Sequence, residues 1–301
     1  MRAHPAGPLH ADGVGSHLSV DRPTDAEAMN FLDADVWPAS CERGPDGAVS
    51  IGGVDVRDAS AEHGTPLFLL DEADLRTRAR RFRDAYGAAG APLVYYAAKA
   101  FLTTTIARWV TQEGLGIDVA SGGELAVALR AGVPGDRLLM HGNNKSMAEI
   151  EGAVEAGVAR IVVDSFDDVV RIADAAARVG IVQPVLVRVT VGVEAHTHEF
   201  IATAHEDQKF GLSMASGAAQ EAVRRIVALP SLRFVGLHSH IGSQIFDAAG
   251  FEVAAARVVA LARRLRDEEG VDVAELNLGG GMGIAYLDSD DPLDVADMAA
   301  Q

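Results

Sequence analysis

Residues 93–120, LVYYAAKAFLTTTIARWVTQEGLGIDVA, contain one full repeat of the pattern that decides the fold. An apolar run over 93–98 predicts a strand, 103–113 predicts a helix, and a second apolar run over 116–120 predicts another strand. Strands that are apolar along their whole length and are separated by helices are typical of a parallel sheet covered by helices.

The same alternation continues along the rest of the chain. Five more predicted strands follow: Leu138–His141, Arg160–Val163, Val185–Thr190, Phe234–His238 and Glu275–Leu278. The predicted helices between them are Glu124–Ala131, Met147–Ala156, Phe166–Val179, Gly217–Leu229 and Phe251–Glu269. This rhythm suits either an open doubly wound sheet or a (β/α)8 barrel.

The ends of the strands favour the barrel. Nearly every strand ends in polar or reactive residues, namely Lys99, Asp118 to Ser121, His141, Asp164, Arg188, His240 and Gly279 to Gly281. A barrel gathers chemistry from the carboxyl ends of many strands, whereas an open sheet uses one switch point. A barrel closes with eight strands and seven are counted, so we predict an α/β fold with an incomplete TIM-type (β/α)8 barrel whose last strand is missing.

Three regions are predicted along the chain. Residues 1–45 form a loosely ordered leader, 46–70 form strands of a β-domain whose remainder is absent, and 71–301 form the barrel. Within the second region, Ala48–Val56 predicts a hairpin that turns at Gly52 and Gly53. Pro66–Leu70 predicts a further strand, which could also be the eighth strand of the barrel.

Composition excludes several classes of function. The formal net charge of −17 argues against binding to a nucleic-acid backbone, which needs a basic face. The longest apolar runs are far too short to cross a bilayer, so no membrane association is expected. The single cysteine, Cys41, excludes a disulfide framework and fits a reducing cytoplasm.

Only three lysines occur in 301 residues. Lys99 follows an apolar strand, where partial desolvation would free the neutral amine for imine chemistry. The alternative is an ordinary lysine that snorkels at a strand end. Lys145 follows a turn and Lys209 follows a polar loop, so each is interpreted as a surface lysine or as a charge at the rim of a site.

Two segments are candidates for binding a phosphate. Residues 276–283, LNLGGGMG, run from a strand into glycines, whose N–H groups can approach a phosphate closely. Ser243, after the strand that ends at His238 and His240, could add a hydroxyl. A tight turn without a ligand is the alternative.

The histidines and carboxylates allow several interpretations. His238 and His240 share a face of their strand and could be two metal ligands, or one of them could stack on a flat cofactor ring. The spacing recurs at His196 and His198. Ser121 with Glu124, and Ser165 with Asp168, predict helix caps. Asp118 is not explained by capping, and Arg188 in an apolar strand requires a buried anionic partner.

Taken together, these segments resemble the diaminopimelate decarboxylases, pyridoxal-phosphate enzymes similar in fold to ornithine decarboxylase and alanine racemase. The resemblance covers nearly the whole chain from Thr65 onward. It rests on Tyr95–Ala100, Asp118–Glu124, His141–Lys145, His198–Ser213, Gly236–Gln244 and Asn277–Ile284.

The resemblance implies a role for each candidate residue. Lys99 would bind pyridoxal 5'-phosphate as a Schiff base, with His240 stacked on the ring. Ser243, Gly280 and Gly281 would bind the phosphate. The pocket would be completed by Asp118, His141 and Arg188. The implied reaction decarboxylates meso-2,6-diaminopimelate, a small amino-acid substrate, to L-lysine and CO2, and the full-length protein would be a homodimer.

Two features of the family are not among these 301 residues. They are a Glu-Pro-Gly-Arg segment at the last barrel strand and a cysteine of the β-domain, which Cys41 cannot be assumed to replace. Two alternatives therefore stay open. One is a decarboxylase of ornithine, arginine or another basic amino acid, and the other is a non-catalytic fragment that binds pyridoxal phosphate.

Overall fold

The computed structural model describes residues 30–91, 93–192, 210–287 and 290–301. The described residues divide into two compact units, one within 1–74 and 285–290 and the other within 75–284 and 291–301. The predicted boundaries at 45 and 70 are a different division and stay a prediction. No helix within the described ranges is long and apolar enough to span a membrane.

The described residues of the smaller unit form a three-stranded antiparallel sheet followed by one helix. Its elements are β1 (Glu42–Arg43), β2 (Val49–Ile51), β3 (Val54–Asp55) and α1 (Val56–His63). Gly52 and Gly53 have φ angles of +58° and +79°, which glycine adopts without strain, and this confirms the predicted hairpin. Asp55 caps α1 by accepting a hydrogen bond from the Arg57 N–H.

The predicted strand Pro66–Leu70 is wrong. Residues 67–70 have no regular secondary structure, and no strand among the described residues pairs with them. Phe68 is 94% exposed and Leu70 is 53% exposed, so these two apolar side chains do not cover a sheet. A short apolar run forms a strand only when it finds both a partner and a surface to cover.

The larger unit alternates strands and helices as predicted. Its strands are β4 (Tyr95–Ala97), β5 (Gly116–Val119), β6 (Leu138–Met140), β7 (Arg160–Val163), β8 (Gln183–Thr190), β9 (Leu212–Ser213), β10 (Leu232–His238) and β11 (Glu275–Asn277). The helices that follow α1 along the chain are α2 (Glu72–Ala88), α3 (Thr104–Gln112), α4 (Gly122–Arg130), α5 (Met147–Glu155), α6 (Phe166–Val179), α7 (Ala218–Val227), α8 (Ala249–Glu269) and α9 (Val295–Ala300).

Seven of these strands form one parallel sheet in the order β11-β10-β8-β7-β6-β5-β4. The short β9, which the sequence did not predict, pairs with β8 beside this path. Within the described residues the two outer strands, β4 and β11, do not pair with each other. The α/β fold and the incomplete barrel are thus confirmed.

The two faces of the sheet have separate cores. The helices pack on one face over a large cluster of buried aliphatic side chains. The other face carries a small apolar cluster, with Tyr95 packed against it, formed by Leu139, Val162, Leu186 and Val235. We call this face the interior of the barrel, because one inward side chain from each of four strands meets there.

An ion pair bridges two strands that are not neighbours in the sheet. Arg160 begins β7 and Glu275 begins β11, three strands away, where a flat sheet would separate them by about 14 Å. Their side chains nevertheless form a bidentate pair, with 2.9 Å between Arg160 Nε and Glu275 Oε2. At the same end of the interior, Tyr95 carbons lie 2.6 Å from where a Gly116 Cβ would be, so only glycine fits there.

Candidate active site

The inward-facing positions of the sheet converge at the carboxyl ends of its strands. Strand register aligns Arg188 with His238, and places Asp118 beside Leu139 of the interior cluster. Side chains two residues apart on a strand share a face, so His141 follows Leu139 and Arg188 follows Leu186 on the inner side. The alternation thereby brings charged and imidazole side chains from several strands into one layer.

Asp118 and His141 form the tightest polar contact in this layer. His141 Nδ1 lies 2.5 Å from Asp118 Oδ1. A carboxylate only accepts hydrogen bonds, so Nδ1 is the donor in this contact. His141 Nε2 is buried and has no hydrogen-bond partner among the described residues.

His238 crosses the interior to meet this pair. Its ring lies edge-on to His141, with 4.4 Å between the ring centroids. Burial, followed by the nearby charges of His141 and Arg188, lowers the pKa of His238 well below its usual value. Its Nδ1 is also buried and unpaired in the part of the chain that is described, so this layer presents two free imidazole nitrogens.

Arg188 has the buried anionic partner that the sequence required. Its Nε lies 3.7 Å from Asp164 Oδ1, and its guanidinium lies 4.4 Å from the centre of the Phe210 ring. Burial lowers the pKa of Arg188 and raises the pKa of Asp164, while each charge opposes the shift of the other. The backbone N–H of Gly211 donates to Asp164 Oδ2 at 3.1 Å and holds this carboxylate in place.

Lys99 lies in a turn just beyond the end of β4 and is exposed. The expected partial desolvation of its amine is therefore wrong for this structure, because the turn carries the side chain past the strand that leads into it. The charge of Lys99 nevertheless acts on His240, whose pKa falls to about 3 through burial first, then through Lys99 and Arg188. His240 is thus a neutral imidazole at neutral pH beside two cationic side chains.

The glycine segment folds against the loop after β10. Gly281 has a φ of +108°, and a Cβ there would lie 1.9 Å from the Gly242 carbonyl oxygen. The carbonyl of Gly281 accepts a hydrogen bond from Ile245 N–H at 3.0 Å, so Ser243 lies in the loop held beside it. Gly280 has open space where a Cβ would be, and its backbone hydrogen-bonds to His240.

Comparison with known proteins places this arrangement in a family. Residues 72–301 match the sequence profile described as pyridoxal-dependent decarboxylase, pyridoxal binding domain. The chain belongs to this family. The predicted membership, and with it the assignment as a pyridoxal-dependent decarboxylase domain, is confirmed.

Proteins named diaminopimelate decarboxylase are among the similar proteins. The relative from Mycobacterium leprae (strain TN) is 53% identical over 100% of this chain and 64% of its own length. The relative from Mycobacterium tuberculosis (strain ATCC 25618 / H37Rv) is 56% identical over 90% of this chain and 61% of its own length. This chain therefore spans less than two thirds of either protein.

Solved structures show the same likeness. The crystal structure of diaminopimelate decarboxylase from M. jannaschii in complex with L-lysine superposes with a TM-score of 0.81. It is 32% identical in sequence, and the match covers 88% of this chain and 62% of that chain.

The eight predicted site residues of this decarboxylase domain lie in the inward-facing layer, at its rim or in the adjoining loops. The layer and its rim contain Lys99, Asp118, His141, Arg188 and His240, and the adjoining loops contain Ser243, Gly280 and Gly281. His196 and His198, which repeat the spacing of the possible metal ligands His238 and His240, lie outside the described residues, as does Lys209. No group of three or more metal-ligating side chains occurs in the described part of the chain.

Three side chains of the site were missed or misjudged. Asp164 was noted as a strand-end residue beside a capping motif and His238 as a possible metal ligand, but neither was placed in the pocket. Asp164 lies two residues after Val162, and His238 lies two residues after Gly236. This strand spacing places both side chains on the inner face and could have indicated that they belong to the pocket. Interpreting Lys145 as a surface or rim lysine was wrong, since it is 2% exposed and has three hydrogen-bond acceptors.

Proposed function

We propose that this chain is the pyridoxal-phosphate-binding part of a diaminopimelate decarboxylase. The whole protein would remove the carboxylate at the D-configured centre of meso-2,6-diaminopimelate, giving L-lysine and CO2. The observation that carries the proposal is the position of Lys99 at a strand end, electrostatically coupled to a neutral His240 that adjoins a glycine loop. The names of the similar proteins support this substrate over ornithine or arginine.

The residues of the site fit pyridoxal phosphate in three respects. Gly281 packs so closely on Gly242 that a Cβ would not fit, and the space beside Gly280 is open, which suits a loop whose backbone N–H groups face a phosphate. Lys99 and Arg188 supply positive charge for an anionic cofactor. The buried, unpaired nitrogens of His141 and His238 leave hydrogen-bonding capacity for a polar ligand.

Each side chain would then have a distinct task. Lys99 would hold the cofactor covalently through its amine. Ser243, Gly280 and Gly281 would bind the phosphate through a hydroxyl and backbone N–H groups. His240, neutral because of its burial, would lie flat against the ring without adding charge.

The remaining residues would complete the pocket. Asp118 would orient the His141 ring through its hydrogen bond, and Arg188 would direct its charge toward the anionic groups of the ligand, steadied by Asp164 and Phe210. When bound, pyridoxal phosphate supplies an electron sink for the electron pair that a departing carboxylate leaves behind. The homodimer and the cytoplasmic location stay predictions.

Two measurements test the proposal. The purified protein loaded with pyridoxal phosphate should absorb near roughly 420 nm, as a cofactor joined to a lysine does, and Lys99→Ala should abolish this band. An undiminished band in that variant would contradict the role of Lys99. Release of CO2 from meso-diaminopimelate, compared with ornithine and arginine under the same conditions, tests the substrate, and preference for either alternative would overturn it.

A further inference from the structure

Among the residues that the structure describes, Lys145 is a deeply buried charged side chain that the proposed chemistry leaves unused. It is 2% exposed, yet its ammonium group has three acceptors. Nζ donates to the carbonyl oxygens of Gly142 at 2.6 Å and Val162 at 2.8 Å, and to Asp168 Oδ2 at 2.7 Å. Three charge-assisted hydrogen bonds of this length use every N–H of the group and fix its position.

Two of the three acceptors belong to the ends of two neighbouring strands. Gly142 follows directly after His141, so the first bond fixes the backbone next to that imidazole. Val162 lies in β7 two residues before Asp164, the carboxylate that pairs with Arg188. One ammonium group therefore joins the backbone behind both polar pairs of the candidate active site.

Asp168 carries the same linkage one step further. Its Oδ2 accepts a hydrogen bond from the backbone N–H of Asp164 at 3.0 Å as well as from Lys145. Its own N–H donates to the Ser165 side chain, which caps α6. The carboxylate thus connects Lys145 to the backbone of the residue that holds Arg188.

The backbone of Lys145 is fixed as well. The next residue, Ser146, begins α5 with a complete capping box, in which Glu149 accepts from the Ser146 N–H at 2.8 Å. The other oxygen of Glu149 accepts from the Gly122 N–H at 2.9 Å, at the start of α4 just after β5. The backbone next to Lys145 and its ammonium group are therefore both fixed. The side chain thus links the start of α5 to the backbone behind the candidate active site.

We propose that Lys145, paired with Asp168, is a positioning residue that sets the Asp118–His141 and Asp164–Arg188 pairs for the cofactor. The inference rests on the proposed function. Packing alone does not require this arrangement, because well-packed apolar side chains often replace a buried ion pair without loss of stability. What apolar side chains cannot supply is the directional link between the ends of β6 and β7.

The test separates positioning from stability with four variants of the chain. Lys145→Met breaks the pair and leaves Asp168 uncompensated. Lys145→Met with Asp168→Leu removes both charges and restores an apolar interior. Arg178→Met removes a half-exposed ion pair with Glu151 that joins the same two helices, α5 and α6. Ile150→Ala truncates a fully buried side chain of α5 and lowers stability without touching either polar pair.

For each variant, pyridoxal phosphate is titrated to obtain its Kd, and the visible circular dichroism of the bound cofactor is recorded. Unfolding midpoints in urea are measured in parallel. We expect Lys145→Met and the double variant to raise the Kd by roughly tenfold or more, as loss of outer partners of metal ligands does. The double variant should do so with a nearly normal midpoint and an altered dichroism band. Arg178→Met and Ile150→Ala should change the Kd by less than about twofold, since neither touches the linkage.

The inference is overturned if the double variant binds pyridoxal phosphate as the wild type does, or if Ile150→Ala weakens binding equally. Failure of the proposed function would look different. In that case the wild-type chain itself would bind no pyridoxal phosphate and would show no dichroism band.

Discussion

The two ends of the barrel interior contain similar residue types, but their polar groups are paired to different extents. At the amino end, Arg160 and Glu275 satisfy each other in a bidentate pair. At the carboxyl end, His141, Asp164 and His238 each keep a buried polar atom without a hydrogen-bond partner among the described residues. Because such atoms are costly in a finished core, they support the proposal that the carboxyl end receives a ligand.

The largest effect is expected from a clash at the carboxyl end. Gly281→Ala would place a Cβ 1.9 Å from the Gly242 carbonyl oxygen, on a backbone with a φ of +108°. We expect the free energy of unfolding to fall by about 3 kcal/mol and pyridoxal phosphate binding to be lost, because the loop must move. Urea denaturation and cofactor titration measure both.

The matched control has the left-handed backbone without the clash. Gly270 has a φ of +67° and nothing within 4 Å of a Cβ. Gly270→Ala should cost only about 1 kcal/mol and leave cofactor binding unchanged. Equal losses of stability and cofactor binding in the two variants would show that the contact between Gly281 and Gly242 does not cause them.

The second-largest effect is expected in the pH dependence of the free energy of unfolding, and it should originate at the carboxyl end. The pKa of His240 in the folded chain is about 3, below its usual 6.5. Between these two pH values the imidazole is therefore protonated in the unfolded chain but not in the folded chain. Stability is therefore complete above pH 6.5 and falls as the pH is lowered toward 3. From pH 7 to pH 5, one such group costs roughly 2 kcal/mol.

His240→Gln should reduce this slope, while His238 continues to contribute in the same direction. Urea unfolding at a series of pH values measures it. A slope identical to that of the wild type would contradict the assignment of burial as the cause.

Substitution of Gly280 tests the carboxyl end for ligand binding without disturbing its packing. Gly280 has no atom within 4 Å of a potential Cβ and an ordinary φ, so Gly280→Ala should leave stability unchanged. If a phosphate occupies that space, its affinity should fall by about tenfold, equivalent to about 1.4 kcal/mol. Unchanged affinity would remove Gly280 from the phosphate site.

The smallest effect is expected at the amino end. Arg160→Met should lower the free energy of unfolding by about 1 kcal/mol, since both partners are partly exposed and water screens the pair. Cofactor affinity should stay within about twofold of the wild type. A larger loss of affinity than of stability would show that the two ends are not separable.

The sequence predicted those features that depend on local pattern. The alternation of strands and helices, the turn at Gly52 and Gly53, and the strand-end positions of Asp118 and His141 all follow from residue type and spacing. Arg188 was correctly expected to have a buried partner, because an arginine in an apolar strand must be neutralised.

The features that failed depend on distant residues. Lys145 follows a polar turn, yet it is buried because Val162 and Asp168 provide acceptors from another β-α unit. Pro66–Leu70 has the composition of a strand but no partner in the described part of the chain. Asp164 was obscured by its neighbouring helix cap, and its pairing with Arg188 depends on strand order rather than on local sequence.

The covalent attachment site of the cofactor tests the central claim most directly. Incubation with pyridoxal phosphate, reduction with borohydride and peptide mass spectrometry would identify which of the three lysines carries the label. We expect the label on Lys99, because Lys145 is buried and fully hydrogen-bonded. Label on Lys145 or Lys209, or none at all, would contradict this expectation.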